Sequence, residues 1–250
     1  MGFIFVWLTL FVQSSLAFKI TLLDATLDLG TGMNSTTATV INDSDKNHIA
    51  IEASARLRLT SEDGVETFAE VPADDLIIVP NQMIIPPNSE QVLNVRWVGA
   101  PDIPTEQAYR LLVEYVSISQ DKLKGLDPEE KKAGVVIQYR IAKSFYVVPK
   151  GAKANVQFKS MKTKSIDGKP FLVFSFENTG SKHHVVGPFT VQVNPKSENP
   201  ITVPITTDML GKPFNVLATQ TRSVTVPLPE VLNGVSIENA GFVSFDDWSQ

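Results

Sequence analysis

From residue 18 onward the chain is cut into short runs rich in β-branched and aromatic residues, each closed by Gly, Pro, Asn or Asp. TTATVIN, IAIEASARLRL, AYRLLVEYVSI, FLVFSFEN and SVTVPLP are such runs. Helical periodicity is nearly absent, which favours an all-β chain. Asp63-Gly64, between IAIEASARLRL and the next run, is a hairpin signal, because glycine accepts positive φ at little cost.

The 250 residues suffice for two sandwich-sized domains. Pro149 and Gly151 in VPKGAKA end one strand and permit a bend, after which the strand pattern restarts. The expected organisation is therefore residues 18–148 as one sandwich and 149–250 as a second. Residues 1–17, MGFIFVWLTLFVQSSLA, read as a secretory signal peptide. The apolar run is too short to span a bilayer, and Ser15 and Ala17 are small residues at the −3 and −1 positions of a cleavage site, although no Lys or Arg precedes the run. With no cysteine, neither disulfides nor thiolate metal sites can support the fold, so each domain relies on an apolar core. A net charge of −5 argues against nucleic acid as a partner.

Local signatures of catalysis are missing: there is no nucleophile elbow, phosphate loop or dinucleotide fingerprint. Adjacent residues of a strand face opposite ways, so His183 and His184 are read as surface residues at a strand start, and with His48 they suggest no metal site. Neither an enzyme nor a cofactor is expected. Asn34-Ser35-Thr36 and Asn42-Asp43-Ser44 fit glycosylation sequons.

One stretch, GVVIQYRIAKSFYVVPKG at 134–151, is less ordinary. It follows a long charged loop at 119–134, alternates along its length, and carries Arg140 and Lys143 close to the predicted domain boundary. By period 2, Val135, Ile137, Tyr139 and Ile141 share one face, and Val136, Gln138, Arg140 and Ala142 the other.

The segment VPNQMIIPPNSEQVLNVRWVGAPDIPTEQAYRLLVEYVSI resembles the periplasmic pilus-assembly chaperones, the PapD-like family of the chaperone–usher pathway. The resemblance is carried by Pro86-Pro87, Val92 to Trp97 with Arg96, Pro101-Asp102, and Tyr109 to Val116 with Arg110. TATVIND, IQYRIAKSFYVVP and FSFENTGSKHHV extend it over most of residues 18–250.

That resemblance implies two immunoglobulin-like sandwiches arranged as a boomerang, located in the periplasm. It also implies a role in binding pilus subunits that lack a strand. The chaperone lends its seventh strand and passes the subunit to an outer-membrane usher; unliganded, it can self-associate through that strand. On this reading Val135, Ile137, Tyr139 and Ile141 fill the subunit's groove, or the even-numbered residues do so if the odd ones belong to the chaperone's own core. The family holds the subunit's terminal carboxylate with one cation on the first strand and one on the seventh. Here Ala25 or Thr26 stands at the first-strand place. Arg140, Lys143 and Arg110 are the candidate anchors. The competing readings are a two-sandwich structural or adhesive exported protein, and an exported enzyme with carboxylates gathered from distant strands.

Overall fold

The computed structural model describes residues 18–22, 25–70, 75–116, 139–195 and 199–245. The expected leader at 1–17, the loop at 119–134, and Val135 and Ile137 lie outside the described residues.

The all-β expectation holds. The first ten strands are β1 (Lys19–Leu22), β2 (Thr26–Asp28), β3 (Ser35–Asn42), β4 (Ile49–Thr60), β5 (Glu66–Glu70), β6 (Leu76–Val79), β7 (Gln82–Ile85), β8 (Ser89–Trp97), β9 (Gln107–Tyr115) and β10 (Arg140–Val148). They form two facing sheets, one ordered β1-β3-β8-β6 and the other β2-β10-β9-β4-β5, with β7 also on β4. The opening segment serves both: β1 runs antiparallel to β3, and β2 runs parallel to the end of β10. Alternation in the sequence becomes alternation of burial. Along β3, Thr36, Ala38, Val40 and Asn42 point inward. They meet Leu93, Val95 and Trp97 of β8 and, from the facing sheet, Tyr109, Leu111, Val113, Phe145 and Val147.

A second, separate core begins after Val148. Its strands are β11 (Val156–Ile166), β12 (Lys169–Asn178), β13 (His184–Val186), β14 (Phe189–Pro195), β15 (Ile201–Ile205), β16 (Phe214–Val216), β17 (Thr221–Pro227) and β18 (Ile237–Phe245), with one helical turn, α1 (Thr207–Leu210). They pair as β11-β12-β17, β15-β14-β18 and β13-β16. The core is aromatic. Phe189 meets Phe174 and Phe176 edge to face, at centroid distances of 5.1 Å in both cases, the geometry favoured by ring quadrupoles.

Both domains use one device that the bare sequence did not reveal as shared, a fully buried asparagine at a strand end. The Asn42 amide donates to the carbonyls of Asn47, Ile85 and Pro86, while its oxygen accepts from Ser44 N–H. The Asn178 amide donates to the carbonyls of Lys182 and Val216, and its oxygen accepts from the N–H groups of Asn155 and Gly180. Each side chain thus satisfies turn and strand-end backbone that would otherwise be buried unpaired. This corrects the sequon reading at Asn42, whose amide is enclosed at 0% exposure and unavailable to a glycan.

Among the described residues the domains meet at two patches, and between them Asn215 Nδ2 donates to the Tyr146 hydroxyl at 2.8 Å. Ala108, Tyr146 and Val148 of the first pack on Leu217 of the second. Beside them, the Tyr146 and His183 rings stack 4.0 Å apart, and His183 Nδ1 lies 2.8 and 2.7 Å from the two oxygens of buried Glu106. His183 is therefore a junction residue, contrary to its expected place on the surface. The second contact is the β4–β5 hairpin against β17, where Ser223 N–H donates to Glu62 O at 2.6 Å and Ser223 Oγ to Glu62 Oε1 at 3.0 Å.

Candidate functional site: a strand edge leading into a basic cleft

Strand β10 pairs antiparallel with β9 along its whole length, but β2 covers only Tyr146 to Val148 on its other side. The hydrogen-bond phase shows which groups are left outward. Tyr115 N–H donates to Tyr139 O at 2.9 Å, so the odd-numbered residues of β10 are the ones bonded to β9. The even-numbered residues point the other way; Tyr146 N–H accordingly donates to Ala25 O at 2.8 Å. Arg140, Ala142 and Ser144 thus direct N–H and C=O groups to a side on which no strand pairs among the described residues. An edge of this kind is a template for another strand.

The side chains split with the same parity. Tyr139 and Ile141 are half-buried and pack against the first domain's core. Ser144 and Tyr146 face the second domain and line a cleft of about 520 Å³. Its walls also include Arg58 on β4, Glu66 on β5, Arg110 on β9, and Lys212, Asn215 and Arg222 from the second domain.

The cleft is organised around arginine. Arg110 grips the Glu66 carboxylate through Nε at 3.1 Å and Nη2 at 2.7 and 2.9 Å, and also reaches Ser144 Oγ. Arg58 Nη2 lies 2.5 Å from Glu66 Oε1 and Nη1 is 3.2 Å from the Tyr146 hydroxyl; only 9% of the Arg58 side chain is exposed. Burial pushes the Glu66 carboxyl up, but the Arg110 hydrogen bonds and the Arg58 and Arg110 charges outweigh it, leaving it below the usual carboxylate range. Arg222 lies across Gly64 at the hairpin tip. Gly64 has φ +88°, and a Cβ there would fall on the Arg222 guanidinium. Burial lowers the Arg222 pKa, Asp63 opposes this, and nearby Arg58 adds to it.

Four buried polar atoms make no hydrogen bond among the described residues: Arg58 Nε, Thr60 Oγ1, Asn215 Oδ1 and Arg222 Nη1. All four belong to residues lining this cleft. Four cations face one carboxylate among the lining residues, with Asp63 acting on Arg222 from the hairpin as a second, so cations outnumber carboxylates and the cleft can take an anion.

The sequence-predicted candidates separate clearly. Arg110 lies in the cleft. Arg140 is at the far end of β10, 63% exposed and paired with Glu114. Lys143 is exposed and, by alternation with Ser144, on the face away from the cleft. Sequence reasoning missed Arg58, Glu66, Asn215 and Arg222, which four different strands bring together. The available signal was ARLRL on β4, whose period of 2 puts Arg56 and Arg58 on one face. No group of His, Cys, Asp and Glu suited to a metal ion occurs among the described residues, and no helix among them is long and apolar enough to cross a membrane.

No family model and no curated protein sequence matches the chain. Solved structures do. The class 5 fimbriae chaperone CfaA is similar over 81% of this chain and 84% of its own, with 13% identity and a TM-score of 0.53. A chain of the chaperone–tip adhesin complex of CFA/I fimbriae biogenesis is similar over 82% and 84%, with 14% identity and a TM-score of 0.53. A chain of the CsuC–CsuE chaperone–tip adhesion subunit pre-assembly complex, from archaic chaperone–usher Csu pili of Acinetobacter baumannii, is similar over 85% and 88%, with 14% identity and a TM-score of 0.52. Two cores, a sheet-switching first segment and a partly open final strand leading into an interdomain cleft belong to one architecture: the chain has the two-domain β-sandwich fold of the fimbrial chaperones.

Proposed function

We propose that this protein is an exported periplasmic chaperone of the chaperone–usher type. It binds pilus-type subunits by lending them β10, shields them from aggregation, and delivers them to an outer-membrane usher. The role is binding without catalysis or cofactor. The observation that carries this reading is the outward-facing edge of Arg140, Ala142 and Ser144, which runs directly into a cleft with a surplus of arginine.

A lent strand must offer both main-chain groups and groove-filling side chains. Phe145 and Val147 are the fully buried, core part of the odd-numbered face, whereas Tyr139 and Ile141 are only half-buried at its far end, so the odd-numbered residues stay the groove-filling candidates where this domain's own core runs out. Val135 and Ile137, assigned to the same role by the alternation of the sequence, lie outside the described residues. Each aliphatic side chain buried in the groove contributes about 1.5–3 kcal/mol. A subunit's C-terminal carboxylate then reaches the cleft and fixes the register. Arg110 is the anchor the geometry favours, with Arg58 behind it. Arg140 and Lys143 lie outside the cleft, suited to rim contacts. In the unliganded protein the same edge supports self-association.

The test is co-expression with a pilus-type subunit, followed by recovery of soluble complex. Arg110→Ala is expected to reduce recovery at least tenfold, and Arg140→Ala or Lys143→Ala by much less. Undiminished recovery with Arg110→Ala would remove the cleft as the anchor. Failure of the wild-type chain to solubilise the subunit would reject the function.

A further inference from the structure

The β4–β5 hairpin and the packed residues Ala108, Tyr146 and Val148, which meet the second domain, all belong to the sheet that contains β10. The facing sheet, β1-β3-β8-β6, leaves large aliphatic side chains exposed on its outer face: Ile77 at 44%, Val79 at 59% and Val92 at 50%. By alternation with buried Leu93, Val95 and Trp97, β8 turns Glu90, Val92, Asn94 and Arg96 outward. The ladders set Ile77 beside Arg96, Val79 beside Asn94 and Thr39 beside Val92, so the aliphatic side chains are neighbours or diagonal neighbours on one surface. A contiguous exposed apolar patch with a polar rim marks an interaction site. Here the rim along β8 is Glu90 at one end and Arg96 at the other, about 20 Å apart on an extended strand. Neither has an ion-pair partner among the described residues.

A face with opposite charges at its two ends is complementary to itself when turned end for end. We propose that a second copy of this chain docks on this face about a two-fold axis lying between the two sheets and crossing β8 at the level of Leu93. That axis sets Glu90 of each copy against Arg96 of the other, and Val92 against Asn94, with Val79 beside Val92 of the second copy. The contact is isologous: one surface supplies both charges, and each pair occurs twice. The face measures about 15 Å across its four strands and about 30 Å along β8, so two of them hide less than the about 1,200 Å² of a standard interface. The dimer is accordingly weak and reversible, with a dissociation constant on the order of 0.1 mM. It leaves the open edge of β10 free, because that strand lies in the facing sheet, and so stands apart from the chaperone role.

Sedimentation equilibrium of the full chain over about 0.02–0.5 mM at low ionic strength tests the contact. Glu90→Arg and Arg96→Glu each put like charges at both symmetry-related pairs and should weaken the dimer about tenfold. The double variant Glu90→Arg/Arg96→Glu restores both pairs and should return to within about threefold of wild type. An equimolar mixture of the two single variants should form a heterodimer, because each carries the charges that the other lacks. Val79→Ser should weaken the dimer without changing its salt dependence. All five positions of change are at exposed side chains, and far-UV circular dichroism and Tm confirm that each variant folds. A wild-type chain that stays monomeric throughout, a dimer indifferent to both charge reversals, or losses that the mixture fails to recover would overturn the two-fold contact. Self-association through the β10 edge would appear as such an indifferent dimer, since Glu90 and Arg96 lie in the other sheet.

Discussion

Replacing Glu66 by glutamine tests whether the arginine cleft is held together as described. The substitution keeps the shape and removes the one carboxylate among the cleft-lining residues. Arg110, with 19% of its side chain exposed, loses a three-contact grip, and Arg58, at 9%, loses its charge partner. Breaking a fully buried pair costs about 3–5 kcal/mol and breaking a fully exposed one about 0–1. Glu66 is itself 27% exposed, between these limits, so the expected loss is about 2 kcal/mol, or about 4–8 °C in Tm for a chain of this size. The effect should also depend on pH. The folded-state pKa of Glu66 is lowered, so its contribution is present above the unfolded value of about 4.3 and is lost as pH falls through the folded one. Urea melts of wild type and Glu66→Gln at neutral pH and at successively lower values measure both. Equal stabilities at neutral pH, or a difference that persists at the lowest pH at which both fold, would refute the argument.

Three further perturbations follow from the same geometry. Gly64→Ala should cost about 1–2 kcal/mol in urea melts, from positive φ and the displaced guanidinium, and should be non-additive with Arg222→Ala. Asn178→Ala strips partners from four backbone groups and should cost about 2–3 kcal/mol, seen as a fall in the urea midpoint with the slope unchanged. Burial and the nearby His183 charge depress the His184 pKa, so stability should decline as pH falls below the unfolded value of about 6.5, and His184→Gln should flatten that decline.

The fold was readable because its determinants are local. Asp63-Gly64 makes the hairpin, period 2 makes β3 and β8, and Pro149 directly follows the last residue of β10. The cleft was not readable, because Arg58, Glu66, Arg110 and Arg222 come together only through long-range pairing. Arg56 and Arg58 look equivalent in ARLRL, yet only Arg58 lines the cleft. His183 misled for the same reason. Its junction role depends on Glu106 and Tyr146, each dozens of residues away in sequence. Arg140 and Lys143 stood out because they interrupt an apolar run, but a cation in a strand says nothing about which charge will sit beside it; for Arg140 that charge is Glu114 across the ladder.

The central claim is that β10 is a strand held ready for another chain, and one backbone atom tests it. Ala142 N–H points to the side on which no strand pairs among the described residues and takes no part in the β9 ladder, whereas Ile141 N–H belongs to that ladder. Proline is tolerated where a strand's N–H faces solvent and not where it is bonded. Ala142→Pro should therefore fold with a loss below about 1 kcal/mol, while Ile141→Pro should lose about 3 kcal/mol or more. Co-expressed with the same pilus-type subunit, folded Ala142→Pro should fail to retain it in soluble complex. Retention equal to wild type by a folded Ala142→Pro protein would contradict strand lending through this edge.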